Sequence, residues 1–201
     1  MKNIIIFVNF IMIQSKMISG FIQQQMPIGN CLIHNQKYSF EYLYASDKVF
    51  TDIIKIQNPH RNIFTNPIGM VDDFNRLKWT ITQVNQSNVT VTIKSNNNEY
   101  LCSSDLHQDI LHQRRRVYLK TMGKNRYIKM ITPNCQWRLQ QVGVQSYIIW
   151  NDWFNEPLYA PSFFYKHDLI KRNVYLWKHK PSSSKQFIWS IDCSKGKFLL
   201  E

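Results

Sequence analysis

The stretch Glu41-Tyr42-Leu43-Tyr44-Ala45 decides the fold of this 201-residue chain, because close copies of it occur twice more. The copies are Glu99-Tyr100-Leu101-Cys102-Ser103 and Glu156-Pro157-Leu158-Tyr159-Ala160. They begin at positions 41, 99 and 156, so the spacing is 58 and then 57 residues. Self-similarity at a fixed period of this size indicates that the chain is built from copies of one supersecondary unit.

Two further motifs follow each copy in the same order, one led by arginine and one led by tryptophan. The arginine motifs are Arg61-Asn62-Ile63-Phe64, Arg115-Arg116-Val117-Tyr118 and Arg172-Asn173-Val174-Tyr175. The tryptophan motifs are Trp79-Thr80-Ile81, Trp137-Arg138-Leu139 and Trp189-Ser190-Ile191. Three motifs repeated three times in one order predict three repeats, over about 31–87, 88–144 and 145–195.

Each motif has the chemistry of a β-strand. Trp79 and Ile81 would share one face of a strand while Thr80 points to the other. Val89–Ile93 alternates valine or isoleucine with threonine, which is typical of a half-buried strand. Turn formers such as Asn96–Asn98 and Pro181–Ser184 separate the motifs, and no long amphipathic helix pattern is present. The pattern predicts four strands in each repeat and about twelve in total.

These repeats predict an all-β protein, a β-trefoil of three four-stranded repeats. A unit of about 57 residues cannot bury its own apolar face, so the three units must share one core. Twelve strands in three copies suit a closed six-stranded barrel capped by three hairpins, and closure removes exposed sheet edges. The repeated tryptophans are then predicted to be core. We interpret the repeated Glu and Arg as an ion pair that locks each hairpin, with a ligand-facing role as the alternative.

The first twenty residues are typical of a signal peptide, which leaves a mature trefoil domain over 21–201. Lys2 provides the positive charge, Ile4–Ile13 the apolar stretch, and Ser19-Gly20 the small residues for cleavage. The alternative is an ordinary N-terminal strand or helix. No segment is long and apolar enough to predict a membrane span. Asn85 and Asn88 each begin an N-glycosylation sequon, which is consistent with a secreted protein.

The repeats resemble those of a family of secreted insect β-trefoil proteins, over nearly the whole predicted mature chain. The resemblance rests on Asn155–Ala160, Lys171–Trp177 and Trp189–Ile191, which match their E-Y-L-Y-A, R-R-x-V-F-x-W and W-x-I motifs. The same pattern is distantly similar to the trefoil part of microvitellogenin and the low-molecular-weight haemolymph lipoproteins of moths. This resemblance implies the trefoil fold and, as an alternative function, a storage or lipid-carrier role. Those lipoproteins also carry a helical N-terminal domain, for which this sequence shows no pattern.

The four cysteines form an even set without C-x-x-C spacing, so the sequence does not predict a zinc site. Three disulfide connectivities are open, and free thiols are the alternative in a reducing compartment. The trefoil interpretation places the first and last strands side by side. It therefore favours Cys31–Cys193 together with Cys102–Cys135.

Charge points to an anionic ligand. The chain has 25 Lys and Arg against 13 Asp and Glu, a formal net charge of +12, and no acid between Asp109 and Asp152. Convergent Arg and Lys bind polyanions through bidentate hydrogen bonds and counterion release. We expect a sulfated glycan or another acidic surface rather than nucleic acid, since the chain is predicted to be secreted. The predicted anion-binding residues are Arg114, Arg115, Arg116, Lys120, Lys124, Arg126 and Lys129.

Other functions have weaker sequence support. No catalytic motif is present, and no metal or cofactor is predicted. Ricin-type sugar binding requires Gln two residues before each repeat tryptophan, where this chain has Leu77, Cys135 and Phe187. A trefoil protease inhibitor stays an alternative because inhibitory loops have little signature. Six aromatic residues near the third repeat suit packing under a hairpin better than an apolar pocket: Trp150, Trp153, Phe154, Phe163, Phe164 and Tyr165.

Overall fold

The computed structural model describes residues 26–50, 60–84, 89–107, 113–121, 131–164, 170–179, 181 and 183–193. Strands dominate these residues and form one antiparallel sheet system, so the all-β prediction is confirmed. The strands are β1 (Gly29–Asn35), β2 (Glu41–Phe50), β3 (His60–Pro67), β4 (Lys78–Gln83), β5 (Thr90–Ser95), β6 (Tyr100–His107), β7 (Arg114–Lys120), β8 (Trp137–Gly143), β9 (Ser146–Asn151), β10 (Glu156–Tyr159), β11 (Arg172–Asn173), β12 (Tyr175–Trp177) and β13 (Ile188–Asp192). The predicted signal peptide and both sequon asparagines, Asn85 and Asn88, lie outside the described residues.

Six strands, two from each repeat, close into a barrel. Going around it, β1 pairs with β4, β4 with β5, β5 with β8, β8 with β9, and β9 with β13. The ring closes because β13 pairs with β1, joining the last repeat to the first. Along these strands the burial alternates, as in β9 and β13, so every second side chain enters a shared core. This closed barrel is the one that the repeat pattern predicted.

The remaining strands form three hairpins, one in each repeat: β2 with β3, β6 with β7, and β10 with β12. The return strands also pair with one another, since β7 lies between β3 and β12 and β3 pairs with β11. In the third repeat the return strand is divided into β11 and β12 at Val174. This division gives thirteen strands in the described residues instead of about twelve.

Three tryptophans occupy matching places in the barrel core. Trp79, Trp137 and Trp189 are fully buried, as predicted. Each indole Nε1 donates a hydrogen bond to a backbone carbonyl of the outgoing hairpin strand in its own repeat, at 2.9, 2.9 and 3.1 Å. The acceptors are Leu43, Leu101 and Leu158, which are themselves equivalent positions of the repeat. Each tryptophan therefore joins a barrel strand to the hairpin above it in the same way.

A short 3-10 turn precedes each tryptophan strand and packs its last residue beneath the hairpin. The turns are Phe74–Leu77, Pro133–Cys135 and Lys185–Phe187, and a fourth, Ile68–Met70, follows β3. The packing partners are Tyr44 with Leu77 in repeat 1, Cys102 with Cys135 in repeat 2, and Tyr159 with Phe187 in repeat 3. In repeat 2 this contact is a disulfide, where the other repeats use apolar packing.

A second disulfide, Cys31–Cys193, ties the first barrel strand to the residue that follows the last one. Together with Cys102–Cys135, these are the two pairings that the trefoil interpretation predicted. The 162-residue separation of Cys31 and Cys193 means that this bridge closes nearly the whole barrel into a covalent loop. A cross-link over so long a loop removes considerable chain entropy from the unfolded state. Among the described residues, no helix is long and apolar enough to cross a membrane.

Candidate functional site

Strand β7 carries four of the seven basic residues predicted to bind an anion, and the alternation of the strand divides them between two faces. Arg115, Val117 and Leu119 point into the molecule and are buried. Arg114, Arg116 and Lys120 occupy the alternate positions and are half-buried on the outer face. Successive residues of a strand point to opposite sides, so three consecutive arginines cannot share one surface. The expectation that all three converge on a single anion site is therefore wrong.

Arg115 is instead part of a buried ion pair. Its Nε and Nη2 donate to the two carboxylate oxygens of Glu156 at 2.8 and 3.2 Å. Its Nη1 donates to the backbone carbonyls of Ser104 and Asp105. The ring of Phe154 lies over the guanidinium, with its centroid 3.6 Å from Cζ. Because Arg115 is buried and makes all of these contacts inside the protein, it does not face an anionic ligand as predicted.

On the outer face, two lysines flank a tyrosine across three neighbouring strands. Lys94 of β5 is opposite Tyr100 of β6, and Tyr100 is opposite Lys120 of β7. Residues that are paired in this way project from the same face of a sheet. Lys94 Nζ lies 5.9 Å from the centroid of the Tyr100 ring. In the described part of the chain, neither lysine forms an ion pair.

The same face continues along β7 with two arginines and two further rings. Arg116 is opposite Tyr175 of β12 and donates from Nη2 to the side-chain oxygen of Asn62 at 2.8 Å. Arg114 Cζ lies 5.2 Å from the Phe163 ring and 5.5 Å from the Tyr175 ring. We call the set Lys94, Tyr100, Arg114, Arg116 and Lys120 the β7 basic face. Cations and aromatic rings alternate along it.

Tyr118 lies on this face of β7, between Arg116 and Lys120. Burial raises the pKa of the Tyr118 hydroxyl, and the nearby Asp105 carboxylate acts in the same direction. A hydrogen bond with Asn134 and the charge of Arg116 lower the pKa but do not reverse the shift. Since an unperturbed tyrosine already ionises only near pH 10, Tyr118 is neutral at physiological pH and adds no negative charge to the face.

The other predicted site residues are only partly described. Lys124, Arg126 and Lys129 lie outside the described residues, as does Tyr165 of the aromatic cluster. In that cluster, Phe154 packs against the core over the Arg115 guanidinium, as expected for a residue under a hairpin. Phe164 and Phe163 lie against Arg172 and Arg114 but stay 43% and 46% exposed, so they do not pack under a hairpin. Trp150 donates from Nε1 to Gln140, whereas Trp153 is 63% exposed in the turn between β9 and β10.

The repeated Glu and Arg form three ion pairs, but each pair joins two repeats. Glu41 pairs with Arg172, Glu99 with Arg61, and Glu156 with Arg115. The expectation that the pair locks its own hairpin is therefore wrong. Register gives the reason: Glu41 is opposite Pro67 at one end of its hairpin, and Arg61 is opposite Val49 at the other. Each glutamate instead reaches the arginine of the preceding repeat, which closes a cycle of three junctions.

A second group of charged side chains surrounds Tyr44. Arg76 Nη1 donates to the Tyr44 hydroxyl at 3.0 Å and lies 3.3 Å from the Asp47 carboxylate. Burial raises the pKa of Tyr44, against the effect of Arg76. Burial also opposes ionisation of Asp47, but the charge and hydrogen bond of Arg76, a backbone hydrogen bond and the charge of Lys171 together lower the pKa of that carboxyl. Within the described ranges, no group of three or more His, Cys, Asp or Glu side chains could hold a metal ion.

Comparison with solved structures gives a trefoil-like fold. A Culex salivary protein of the Cysteine and Tryptophan-Rich family has 17% sequence identity and a TM-score of 0.60, over 86% of this chain and 98% of that one. ThreeFoil, a designed 3-fold symmetric protein, has 11% identity and a TM-score of 0.58, over 82% and 98% of the two chains. At these identities the likeness establishes the fold alone.

A lectin is also among the similar structures. The Polyporus squamosus lectin, bound to the epitope Neu5Aca2-6Galb1-4GlcNAc, has 13% identity and a TM-score of 0.57, over 84% of this chain and 50% of that chain. No protein-family model and no curated protein matches the sequence.

Proposed function

We propose that this chain is a secreted, non-enzymatic β-trefoil protein that binds an anionic polysaccharide on the β7 basic face. The observation that carries the proposal is the register Lys94, Tyr100, Lys120 across three strands, with two lysines that form no ion pair in the described part of the chain. Arg116 and Arg114 extend this row along β7. The strand rise of about 3.4 Å places alternate side chains about 7 Å apart, giving a row about 20 Å long.

Two properties of the row favour a sugar polymer over a simple anion. Sulfate or carboxylate groups would contact the cationic side chains, with release of counterions from the polymer. The half-exposed ring of Tyr100, between Lys94 and Lys120, offers an apolar face to the C–H side of sugar rings. The net charge of +12 adds a long-range attraction for any polyanion.

Several observations support a secreted binding role. The two disulfides are stable in an oxidising compartment and uncommon in the cytosol. Similar folds occur in a salivary protein and in a sugar-bound lectin. The N-terminal twenty residues have the composition of a signal peptide. The storage or lipid-carrier role and the protease-inhibitor role have no comparable contact or surface among the described residues.

Heparin affinity in a salt gradient tests the proposal. The triple variant Lys94→Ala/Arg116→Ala/Lys120→Ala is expected to bind about 10- to 100-fold more weakly at about 0.1 M salt, since three charge contacts at the protein surface contribute roughly 0.5–1 kcal/mol each. The dependence of binding on salt concentration should also become shallower, because fewer counterions are released. Isothermal titration calorimetry with a heparin oligosaccharide at several salt concentrations measures both effects.

A matched control removes the same charge elsewhere. Lys37 and Lys185 are exposed, and among the described residues the ammonium group of Lys78 contacts Asn75 alone. The variant Lys37→Ala/Lys78→Ala/Lys185→Ala should keep nearly the wild-type affinity. Equal losses in both triple variants would mean that net charge alone attracts heparin. If the Lys94/Arg116/Lys120 variant keeps the wild-type affinity for heparin, the β7 basic face is not the binding surface.

A further inference from the structure

The outer face of the hairpin of repeat 3 carries a row of side chains that crosses five neighbouring strands. Arg138 of β8 is opposite Trp150 of β9, and Trp150 is opposite Pro157 of β10. The register of β10 and β12 places Pro157 beside Trp177, and Trp177 is opposite Arg114 of β7. Residues that are paired in this way project from the same face of a sheet. We call these five residues the third-hairpin row.

The three central positions of the row are filled differently in the other two repeats. The equivalent residues are Lys94, Tyr100 and Lys120 in repeat 2 and His34, Tyr42 and Asn66 in repeat 1. The same strand pairing therefore accommodates polar or charged side chains where repeat 3 has Trp150 and Trp177. Packing of the hairpin does not by itself require two tryptophans on this face.

Contacts within the protein hold both indoles along the surface of the sheet. Trp150 Nε1 donates to the side-chain oxygen of Gln140, on the neighbouring strand β8, at 2.8 Å. The Trp177 ring lies beside that of Tyr159 on β10, with the two centroids 5.3 Å apart. Each indole thus lies across two strands. Both indoles are half-buried and Pro157 between them is buried, so the tryptophans form the outer surface of the row.

An arginine stands at each end of the row. The Arg138 side chain is 40% exposed, with Nη2 donating to the side-chain oxygen of Asn155 at 2.8 Å and Nη1 3.9 Å from the Asp152 carboxylate. A guanidinium has five N–H donors, so these two contacts leave Arg138 with donors for a ligand. Arg114 is half-buried at the other end, against the Phe163 ring. The row therefore has positive charge at both ends and indole surface between them.

The spacing of the row matches that of sugar rings in an extended polysaccharide. Neighbouring strands are about 4.8 Å apart, which is close to the length of one sugar unit in such a chain. Trp150 and Trp177 are two strands apart, or about 10 Å, so they contact every second ring. Arg138 and Arg114 are four strands apart, or about 19 Å, and they lie beside rings of the other set.

We propose that the third-hairpin row binds an unsulfated polysaccharide in which uronic acids alternate with N-acetylhexosamines. The uronate carboxylates pair with Arg138 and Arg114, and the C–H faces of the hexosamine rings stack on Trp150 and Trp177. The proposal keeps the ligand class of the proposed function, an anionic polysaccharide. It places this ligand at a second site, which shares only Arg114 with the β7 basic face.

Charge density distinguishes the two sites. On the β7 basic face, cationic side chains occupy nearly every outward position of one strand, about 7 Å apart. In the third-hairpin row, two arginines are separated by three uncharged residues, and Asp152 lies beside one of them. A polymer with one carboxylate in every two rings has this lower charge density. Its affinity should therefore fall less steeply with salt than that of heparin for the β7 basic face.

Isothermal titration calorimetry with a hyaluronan hexasaccharide, which has this alternating composition, tests the proposal. The wild-type chain is expected to bind it with a Kd of about 1 mM or below. A chitin hexasaccharide has the same hexosamine but no carboxylate, and it should bind at least about tenfold more weakly. The proposal is wrong if hyaluronan does not bind at a concentration on the order of 10 mM, or if the chitin fragment binds equally well.

The triple variant of the β7 basic face separates this proposal from the proposed function. Lys94→Ala/Arg116→Ala/Lys120→Ala should keep its hyaluronan affinity to within about twofold, because none of the three residues belongs to the third-hairpin row. Loss of heparin binding in this variant supports the β7 basic face and leaves the second site intact. Loss of hyaluronan binding in the same variant would place both polymers on the β7 basic face and overturn the second site.

Substitutions of the tryptophans test the stacking surface. Trp150→Ala and Trp177→Ala should each weaken hyaluronan binding about tenfold, because each removes one of the two indoles. Trp153→Ala is the matched control, since Trp153 is 63% exposed in the adjacent turn but lies outside the row. Its affinity should be unchanged. An equal loss in Trp153→Ala, or no loss in either variant of the row, would contradict the assignment.

Asp152→Asn tests the charge of the site with both indoles in place. It removes the carboxylate beside Arg138 but keeps an amide oxygen that accepts a hydrogen bond from the Thr90 hydroxyl. Hyaluronan should then bind about two- to fivefold more tightly at about 0.1 M salt. Arg138→Gln should weaken binding by a similar factor. Unchanged or weaker binding in Asp152→Asn would show that Arg138 does not meet a carboxylate of the ligand.

Discussion

The buried tryptophans of the barrel and the Glu–Arg ion pairs between the hairpins both occur once in each repeat. The tryptophans have the same surroundings in all three repeats, whereas the ion pairs do not. Trp79, Trp137 and Trp189 have the same burial and donate the same hydrogen bond. The three ion pairs use the same residue types but differ in exposure, number of contacts and covering rings. The three ion pairs are therefore alike only in their glutamate and arginine.

This difference shows that the same residue type at equivalent positions need not contribute the same amount to the free energy of unfolding. A tryptophan in the barrel interior is surrounded by positions that all belong to the repeat, such as Leu43, Leu101 and Leu158. An arginine at a junction depends on the turn of a neighbouring repeat, and the three turns differ in length and sequence. The junctions are therefore free to diverge in function while the barrel keeps its geometry.

The largest expected effect is at the two ion pairs whose arginine is buried under an aromatic ring, Glu41–Arg172 and Glu156–Arg115. Arg172→Ala leaves the Glu41 carboxylate buried without its partner, and we expect a loss of about 3–5 kcal/mol in the free energy of unfolding. Arg61→Ala should cost less, about 2–3 kcal/mol, because it also leaves a buried carboxylate, Glu99, unpaired but gives up only one contact of a side chain that is one-third exposed. Urea unfolding at neutral pH, followed by tryptophan fluorescence, measures both values. Equal losses would show that the junctions are energetically equivalent despite their different surroundings.

A smaller and uniform effect is expected in the barrel. Replacing any one of the three tryptophans with phenylalanine removes the Nε1 donor and leaves a buried leucine carbonyl without it. Each variant should lose about 2–3 kcal/mol from the hydrogen bond and the lost volume, and the three values should agree to within about 1 kcal/mol. Denaturant unfolding of Trp79→Phe, Trp137→Phe and Trp189→Phe measures these losses. If these three losses differ by as much as those of Arg172→Ala and Arg61→Ala, the tryptophan positions are no more alike in energy than the ion pairs.

The smallest effect tests whether an added ring stabilises the Glu99–Arg61 ion pair, whose arginine is one-third exposed. Asn97→Phe places an aromatic side chain in the turn before Glu99, as Phe154 stands before Glu156. A cation–π contact with Arg61 at this exposed position should raise the free energy of unfolding by about 0.5 kcal/mol. In Arg61→Lys, which lacks the planar guanidinium, the added phenylalanine should give a smaller gain; an equal gain would indicate ordinary apolar packing.

The repeat analysis predicted the barrel and its core because these features depend only on which positions are equivalent. Trp79 and its counterparts recur in strands of matching pattern, so a shared interior followed directly. The side-by-side placement of the first and last strands also favoured Cys31–Cys193, which the structure contains.

The candidate site was predicted only in part. The alternation of a strand would have separated Arg115 from Arg114 and Arg116, so this error was avoidable from the sequence. No sequence pattern indicated that Lys94 belongs to the candidate site. It lies in β5, outside the acid-free segment, and it joins the β7 basic face only because Tyr100 stands between it and Lys120 in the sheet register.

The sequence by itself determined that the chain is all-β, that three copies share one interior, and which positions are equivalent among them. Strand alternation and a 57- to 58-residue period depend only on the order of residues along the chain, so both can be recognised before the fold is known. Tertiary structure alone decided that Glu41 pairs with Arg172 rather than Arg61, and that Glu99 keeps a buried oxygen without a donor. Those outcomes depend on distances between hairpins of different repeats, which hairpin register and turn length set together.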